Sequence, residues 1–186
     1  MTKQDIRLDL RQRRKAFVDA MDLAELCAHL AALTARVLRE IEGASCVAAY
    51  LPVGPEIDPS AILDAAAGAG MRTALPHIGS AAAPMRFLAW QPGEPLLPGP
   101  LGLLQPDPEA AAELAPEVIL APLVGFDRNL ARLGQGKAFY DRAFAALPHA
   151  RRIGLAWSVQ EVDALPVEPW DVPLHAVATE KEWITR

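Results

Sequence analysis

The sequence predicts a layered α/β domain, on three observations. Short apolar runs, each stopped by proline, glycine or charge, alternate with stretches whose apolar residues recur at helical spacing. A strand followed by a helix is the unit of βαβ construction, and that order recurs along the chain. At 186 residues the chain can bury roughly 70% of its unfolded surface in one core without disulfides.

Near the start, Ile6, Leu10 and Phe17 share one side, while Lys3, Arg7, Arg11 and Arg14 recur at steps of three or four on another. That spacing predicts one helix with a cationic face. A second helix is predicted to begin at Asp22, whose carboxylate caps while Glu25 reaches back. It continues through Leu23, Leu26, Leu30, Leu33, Val37 and Ile41, an apolar stripe for a core. Residues 46–51 form an apolar run stopped by Pro52, which suits a buried strand, and 59–69 read as an alanine-rich helix. Further strands are predicted at 72–75, 85–90, 118–124, 152–157 and 174–178, with another helix after Gly136. Proline and glycine crowd residues 91–108, which are expected to form an irregular surface segment. The chain on either side is too short for two cores and holds no internal repeat, so residues 1–186 are expected to be a single domain.

A net charge of −5 argues against a nucleic-acid partner, yet positive charge gathers at Lys3, Arg7, Arg11, Arg13, Arg14 and Lys15. Locally basic and globally acidic suggests a small anionic ligand. Apolar residues make up 52% of the chain but never approach the ~20 in succession that a membrane span needs. The first residues carry charge throughout, without an apolar stretch or a small-residue cleavage site, so a cytoplasmic location is expected. Cys27 and Cys46 are too few for a disulfide framework, have no zinc spacing, and are expected to be buried thiols. His29, His77, His149 and His175 are scattered, and neither Ser45 nor Ser158 sits in a nucleophile elbow, so zinc and hydrolase chemistry find little support.

The most informative stretch, 125–142, follows an apolar strand and precedes a helix. In α/β folds, ligands bind in the crevice outside the carboxyl ends of strands. Gly134 and Gly136 let backbone approach a phosphate, and Arg132 and Lys137 supply positive charge. A Gly-x-Gly pair alone more often marks a tight turn; the flanking cations favour a polyphosphate cradle. It is not a Walker loop, because position 131 is Ala and Lys137 is followed by Ala138.

Residues 125–141 read G-F-D-R-N-L-A-R-L-G-Q-G-K-A-F-Y-D. This resembles the pattern G-F-D-x-x-G-x-R-L-G-x-G-x-G-Y-Y-D of the 5-formyltetrahydrofolate cyclo-ligase, or methenyltetrahydrofolate synthetase, family. The resemblance extends to K-x-x-[LI]-R at 3–7, Y-L-P-x-x-x-E-I-D at 50–58, M-x-F-x-x-W at 85–90 and a late W-D-V-P. It implies a three-layer α/β/α sandwich around a central, mostly parallel sheet. It also implies ATP- and Mg²⁺-dependent closure of 5-formyltetrahydrofolate to 5,10-methenyltetrahydrofolate through a phosphorylated formyl group, by an enzyme expected to be a monomer. No enzyme nucleophile is needed, so positioning and charge neutralisation should carry catalysis.

By the same resemblance, Lys3 and Arg7 join Arg132, Gly134, Gln135, Gly136 and Lys137 around ATP, with Arg132 and Lys137 catalytic. Asp141 and Asp171 are the implied Mg²⁺ ligands, and Glu56 the residue set against the pterin. Tyr50, Trp90, Phe139 and Tyr140 offer flat surfaces to the folate. Each has a plainer reading: a solvated helix face for Lys3 and Arg7, a turn for Glu56 and Asp171, a surface ion pair for Asp141, and core for the aromatics. The chain departs from the pattern at Leu130 and Ala138, where the family commonly has Gly, and at Phe139, where it commonly has Tyr. If either glycine position needs positive φ, the side chain costs roughly 1–2 kcal/mol. A diverged paralogue that binds folate or nucleotide as a sensor is the alternative.

Overall fold

The computed structural model describes residues 2–80 and 83–186. Two helices lead, α1 (Lys3–Asp19) and α2 (Leu23–Glu40), followed by β1 (Cys46–Ala48), α3 (Ser60–Gly68), β2 (Arg72–His77) and β3 (Arg86–Ala89). Next come β4 (Leu97–Pro98), β5 (Leu104–Gln105), β6 (Glu113–Leu114), β7 (Val118–Pro122), β8 (Gly125–Phe126) and β9 (Arg132–Leu133). The chain ends with α4 (Phe139–Ala146), β10 (Arg151–Leu155), β11 (Ala176–Ala178) and β12 (Trp183–Ile184).

One sheet of eight strands runs in the order β12-β11-β10-β7-β1-β2-β3-β6. From β11 to β2 every pairing is parallel. β12 closes one edge antiparallel, and β3 with β6 close the other. Successive side chains of a strand point to opposite faces, and the two cores divide on that alternation. Val47, Val118, Leu120, Ile153, Leu155, Ala176 and Ala178 meet α2 and α3 through Leu33, Val37, Ile62 and Leu63. Ala48, Ile119, Ala121 and Val177 face the other way, onto Ala143 and Phe144 of α4. This is the expected α/β/α sandwich around a mostly parallel sheet.

Several boundaries differ from the sequence reading. The run 118–124 is not one strand: β7 ends at Pro122, and the next two carbonyls, of Leu123 and Val124, accept from the Gln160 side chain at 2.8 and 3.0 Å. Satisfied there, the backbone leaves the sheet. The run 46–51 pairs only over β1, because Tyr50 turns toward Ile57 and its hydroxyl donates to the Ile57 carbonyl at 2.7 Å. Strands 85–90 and 174–178 likewise shorten to Arg86–Ala89 and Ala176–Ala178, and 152–157 becomes Arg151–Leu155, starting one residue earlier and ending two residues earlier. Residues 91–108 are not wholly irregular, since β4 and β5 pair around a 3₁₀ turn at Pro100–Gly102. β6 and β12 hold two residues each, too few to show a period. Asp22 accepts from the Glu25 N–H at 2.8 Å as expected, but the Glu25 carboxylate lies 3.6 Å from His29 instead of reaching back. The reciprocal cap forms on α1, between Thr2 and Asp5. Cys27 is exposed, so only Cys46 fits the buried-thiol expectation.

His77, at the end of β2, is 5% exposed, and its Nδ1 has no hydrogen-bond partner among the described residues. Burial, then the Arg86 charge, holds its pKa below the ordinary value of 6.5. Burial, then Arg152 and Arg151, does the same to His175. The unfolded chain therefore binds more protons than the folded one as pH falls past 6.5, and stability is expected to drop there while staying flat above. Urea unfolding between about pH 7.5 and 5 measures this, and His77→Gln should flatten the slope without abolishing it. An unchanged slope in that variant would remove His77 from the account.

Candidate active site

A cleft of about 720 Å³ opens at the carboxyl ends of β1, β2 and β7, lined there by Tyr50, Leu75, Pro76 and Pro122. The chain runs from β1 to β2 on one side and from β7 to β10 on the other, so the cleft lies where strand order reverses. Six basic and four acidic side chains face it, against a net charge of −5 for the whole chain.

α1 forms one wall. Ile6 and Leu10 join Val124, Leu133 and Leu165 in a separate apolar cluster, which docks the helix on the β8–β9 hairpin. Gly125 permits this approach, since a Cβ there would lie 2.3 Å from a Leu10 methyl. Docking one side of α1 brings its cationic side to the glycine loop. Arg7 Nε donates to the Gly134 carbonyl at 2.8 Å, and Arg11 donates to Gln135 Oε1. Lys3 Nζ lies 2.7 Å from Asp171 Oδ2.

The loop itself is held from below by Asp127. This 2% exposed carboxylate accepts from the N–H groups of Asn129 at 2.9 Å, Ala131 at 3.1 Å and Leu165 at 3.0 Å. The matched Asp127 is thus a scaffold for the loop and does not line the cleft. Asp127→Asn puts an amide donor against at least one of these N–H groups. It is expected to cost about 1–3 kcal/mol by urea unfolding. A loss below about 0.5 kcal/mol would contradict this role.

Leu130 and Ala138 have φ of 62° and 52°, left-handed backbone at both positions where the family pattern has Gly. Leu130 compensates by burying its side chain, at 2% exposure, beneath the loop. Ala138 sits at the start of α4, whose first turn no side chain caps, leaving N–H groups suited to an anion. Arg132 is 4% exposed at its side chain and stands 5.5 Å from the Tyr140 ring centre and 5.6 Å from that of Phe144. Its NH2 meets Asp141 Oδ2 at 3.0 Å. Arg132 Nε, Arg14 Nε and the Tyr140 hydroxyl are buried with no hydrogen-bond partner among the described residues. Burial pushes the Tyr140 hydroxyl well above its ordinary pKa, so it stays a neutral donor.

Across from the loop stands Glu56. Its segment is clamped by the Tyr50 hydroxyl on Ile57 at 2.7 Å and by the Trp157 indole N–H on the Pro55 carbonyl at 3.0 Å. Glu56 Oε2 accepts from the Val53 N–H at 3.0 Å, and Oε1 accepts from Gln135 Nε2 at 3.1 Å. One side chain therefore links the glycine loop to the opposing carboxylate.

Lys3, Arg7, Tyr50, Glu56, Arg132, Gly134, Gln135, Gly136, Lys137, Phe139, Tyr140, Asp141 and Asp171 all border the cleft. Trp90 does not: it packs with the α2 and α3 core, and its indole N–H donates to the Glu94 carbonyl at 3.1 Å. Tyr50 is 3% exposed and its hydroxyl is engaged, so it props the Glu56 segment more than it offers a face. Arg11 and Arg14, read as part of the cationic helix but not assigned to the site, also border the cleft, as do Gln105 and the 66% exposed Trp170. The i, i+4 and i, i+7 spacing from Arg7 was the available signal for the two arginines.

A mostly parallel α/β sandwich with a cation-rich cleft at its strand-order reversal defines the class as an α/β protein whose cleft suits a small anionic ligand. A model of the 5-formyltetrahydrofolate cyclo-ligase family matches residues 1–180, and the chain belongs to that family. It is 32% identical over 181 residues to the 5-formyltetrahydrofolate cyclo-ligase of Escherichia coli (strain K12), covering 94% of this chain and 98% of that one. It is 35% identical over 191 residues to that of Mycolicibacterium smegmatis, covering 98% and 96%. The solved 5,10-methenyltetrahydrofolate synthetase of Aquifex aeolicus shares the fold at a TM-score of 0.83 and 23% identity, over 100% of this chain and 93% of that one.

Proposed function

We propose that residues 1–186 act as one catalytic domain that closes 5-formyltetrahydrofolate to 5,10-methenyltetrahydrofolate, spending ATP and releasing ADP and phosphate. The observation that carries this reading is the meeting of Lys3 and Arg7, from one end of the chain, with residues 132–137 on a single wall facing Glu56.

Lys3, Arg7, Arg132 and Lys137 hold the triphosphate, with the backbone of Gly134 to Gly136 close against it. Glu56 accepts paired hydrogen bonds from the pterin N–H and amino groups, while Phe139 and Tyr140 flank the ring. The formyl oxygen takes the γ-phosphoryl group as its bond to ADP breaks. N10 then attacks the formyl carbon and loses its proton, and the C–O bond breaks to release phosphate. Arg132 and Lys137 neutralise charge on the transferring group.

Asp141 and Asp171 are the residues that would hold Mg²⁺. Both carboxylates border the cleft, and Mg²⁺ takes one or two carboxylates from protein and completes its shell from phosphate and water. Burial pulls the Asp171 pKa up, but the Lys3 ammonium and the Glu168 N–H outweigh it, leaving a carboxylate held below its ordinary value. Mg²⁺ there would supply neutralisation of the phosphate charge. Lys3, now paired with Asp171, exchanges that partner for phosphate oxygens, while Arg132 keeps Asp141 and offers its remaining N–H groups. In this reading the enzyme acts as a cytoplasmic monomer without nucleic-acid partners. Among the described residues no helix is long and apolar enough to cross a membrane.

The test is to mix the protein with 5-formyltetrahydrofolate, ATP and Mg²⁺ and follow the near-ultraviolet absorption of the methenyl product. Absorption should rise with ATP present and stay flat without it. Binding of folate and ATP with no product would instead establish a sensor.

A further inference from the structure

We propose that Arg14 is a specificity-determining residue, reading the 4-oxo group of the substrate's pyrimidine ring beside Glu56. This rests on Glu56 being the ring anchor.

Arg14 and Glu56 form a buried pair, with NH1 3.7 Å from Oε1 and each side chain 6% exposed. Both border the cleft. NH1 also lies 3.4 Å from the Leu123 carbonyl, a long contact, and Nε has no hydrogen-bond partner among the described residues. A buried guanidinium with a single distant carboxylate and an unused N–H has donors to spare, and leaving them unmade is costly. An arginine needed only to neutralise Glu56 would close on it in the paired, two-bond geometry usual for carboxylates. This one stands off.

The chemistry of the ring edge explains the offset. A 2-amino-4-oxopyrimidine presents, in order, an amino donor, the N3–H donor and the O4 acceptor. A carboxylate has capacity for about four hydrogen bonds, of which Glu56 uses two, from Val53 and Gln135. Facing the two ring donors, it leaves O4 at its flank, where a guanidinium standing 3.7 Å from Oε1 can donate. Carboxylate followed by guanidinium is the complement of donor, donor, acceptor. Arginine stays protonated and cannot turn acceptor, so a 4-amino group in place of O4 would set donor against donor.

The test compares binding of 5-formyltetrahydrofolate and its 4-amino-4-deoxy analogue by fluorescence titration without ATP. Wild type should prefer the 4-oxo ligand by on the order of 10–100-fold. Arg14→Met should reduce that preference several-fold, mainly by weakening the 4-oxo ligand, with the remainder set by the loss of N3–H opposite Glu56, and Arg14→Lys should restore part of it. The proposal fails if wild type shows no preference, a result independent of how any variant folds. It fails equally if Arg14→Met, folded by circular dichroism, weakens both ligands alike, because Arg14 then acts only by steadying Glu56. Glu56→Gln separates the premise: it should weaken both ligands, and if neither changes, the ring anchor itself is misassigned.

Discussion

Arg132→Ala is expected to lower kcat by on the order of 10²–10³-fold, the largest effect of any substitution considered. Arg132 packs against the Tyr140 and Phe144 rings, whose centres are 5.8 Å apart, and pairs with Asp141 at 3.0 Å, so its guanidinium arrives at the cleft already oriented. Charge that develops during phosphoryl transfer then meets a fixed cation, with no reorganisation to pay at that moment. Arg132→Lys keeps the charge but loses the planar fork, and should recover only part of the rate. Because the Arg132 side chain is 4% and Asp141 15% exposed, Arg132→Ala also strands a largely buried carboxylate, costing up to about 3 kcal/mol of stability. Adding Asp141→Asn should restore much of that stability while leaving the rate low, which separates folding from catalysis. A single Arg132→Ala variant within about 3-fold of wild-type kcat would overturn the cradle assignment.

The second large effect concerns the two left-handed residues, and its sign should differ between them. At Ala138, φ 52°, glycine removes roughly 1–2 kcal/mol of steric cost and gives back part of it as unfolded-chain entropy. Ala138→Gly should therefore be neutral to stabilising, by up to about 1 kcal/mol. At Leu130, φ 62°, the same relief competes with removal of a 2% exposed side chain from the core against α4. Large-to-small core changes cost about 2–5 kcal/mol, so Leu130→Gly should destabilise by about 2 kcal/mol or more. Urea unfolding of both variants decides it. Equal and destabilising changes would mean that backbone strain is not what distinguishes these positions. Asp127, whose carboxylate accepts from Asn129 and Ala131 on either side of Leu130, is what holds that turn in place.

Much of the candidate site was legible because its residues share short motifs. The cationic face of α1 followed from a step of three and four, and the loop from its run of matched positions. Trp90 was misplaced because its motif, M-x-F-x-x-W, lies on β3 and beyond, where alternation sends neighbours to opposite faces and the next residues turn away. Met85 borders the cleft, whereas Trp90 closes the core behind the sheet. Arg14 was placed on the cationic face but not in the site, for a different reason: a helix pattern reports that charges share a side but not which of them is buried. Glu56 and Gln135, 79 positions apart, touch only because β1 and β7 are neighbours in the sheet.

By itself the sequence determined the class of fold, the cationic helix, the glycine loop and the family, since each is encoded in local spacing or in the identity of adjacent residues. Tertiary structure alone decided that α1 lies over the loop, through the space above Gly125. It also decided that Asp127 is scaffold and not ligand, and that Arg14 stands buried beside Glu56. Those facts depend on contacts between residues 38 to 115 positions apart and on which atoms lose water, and neither distance nor desolvation is written in the order of a chain.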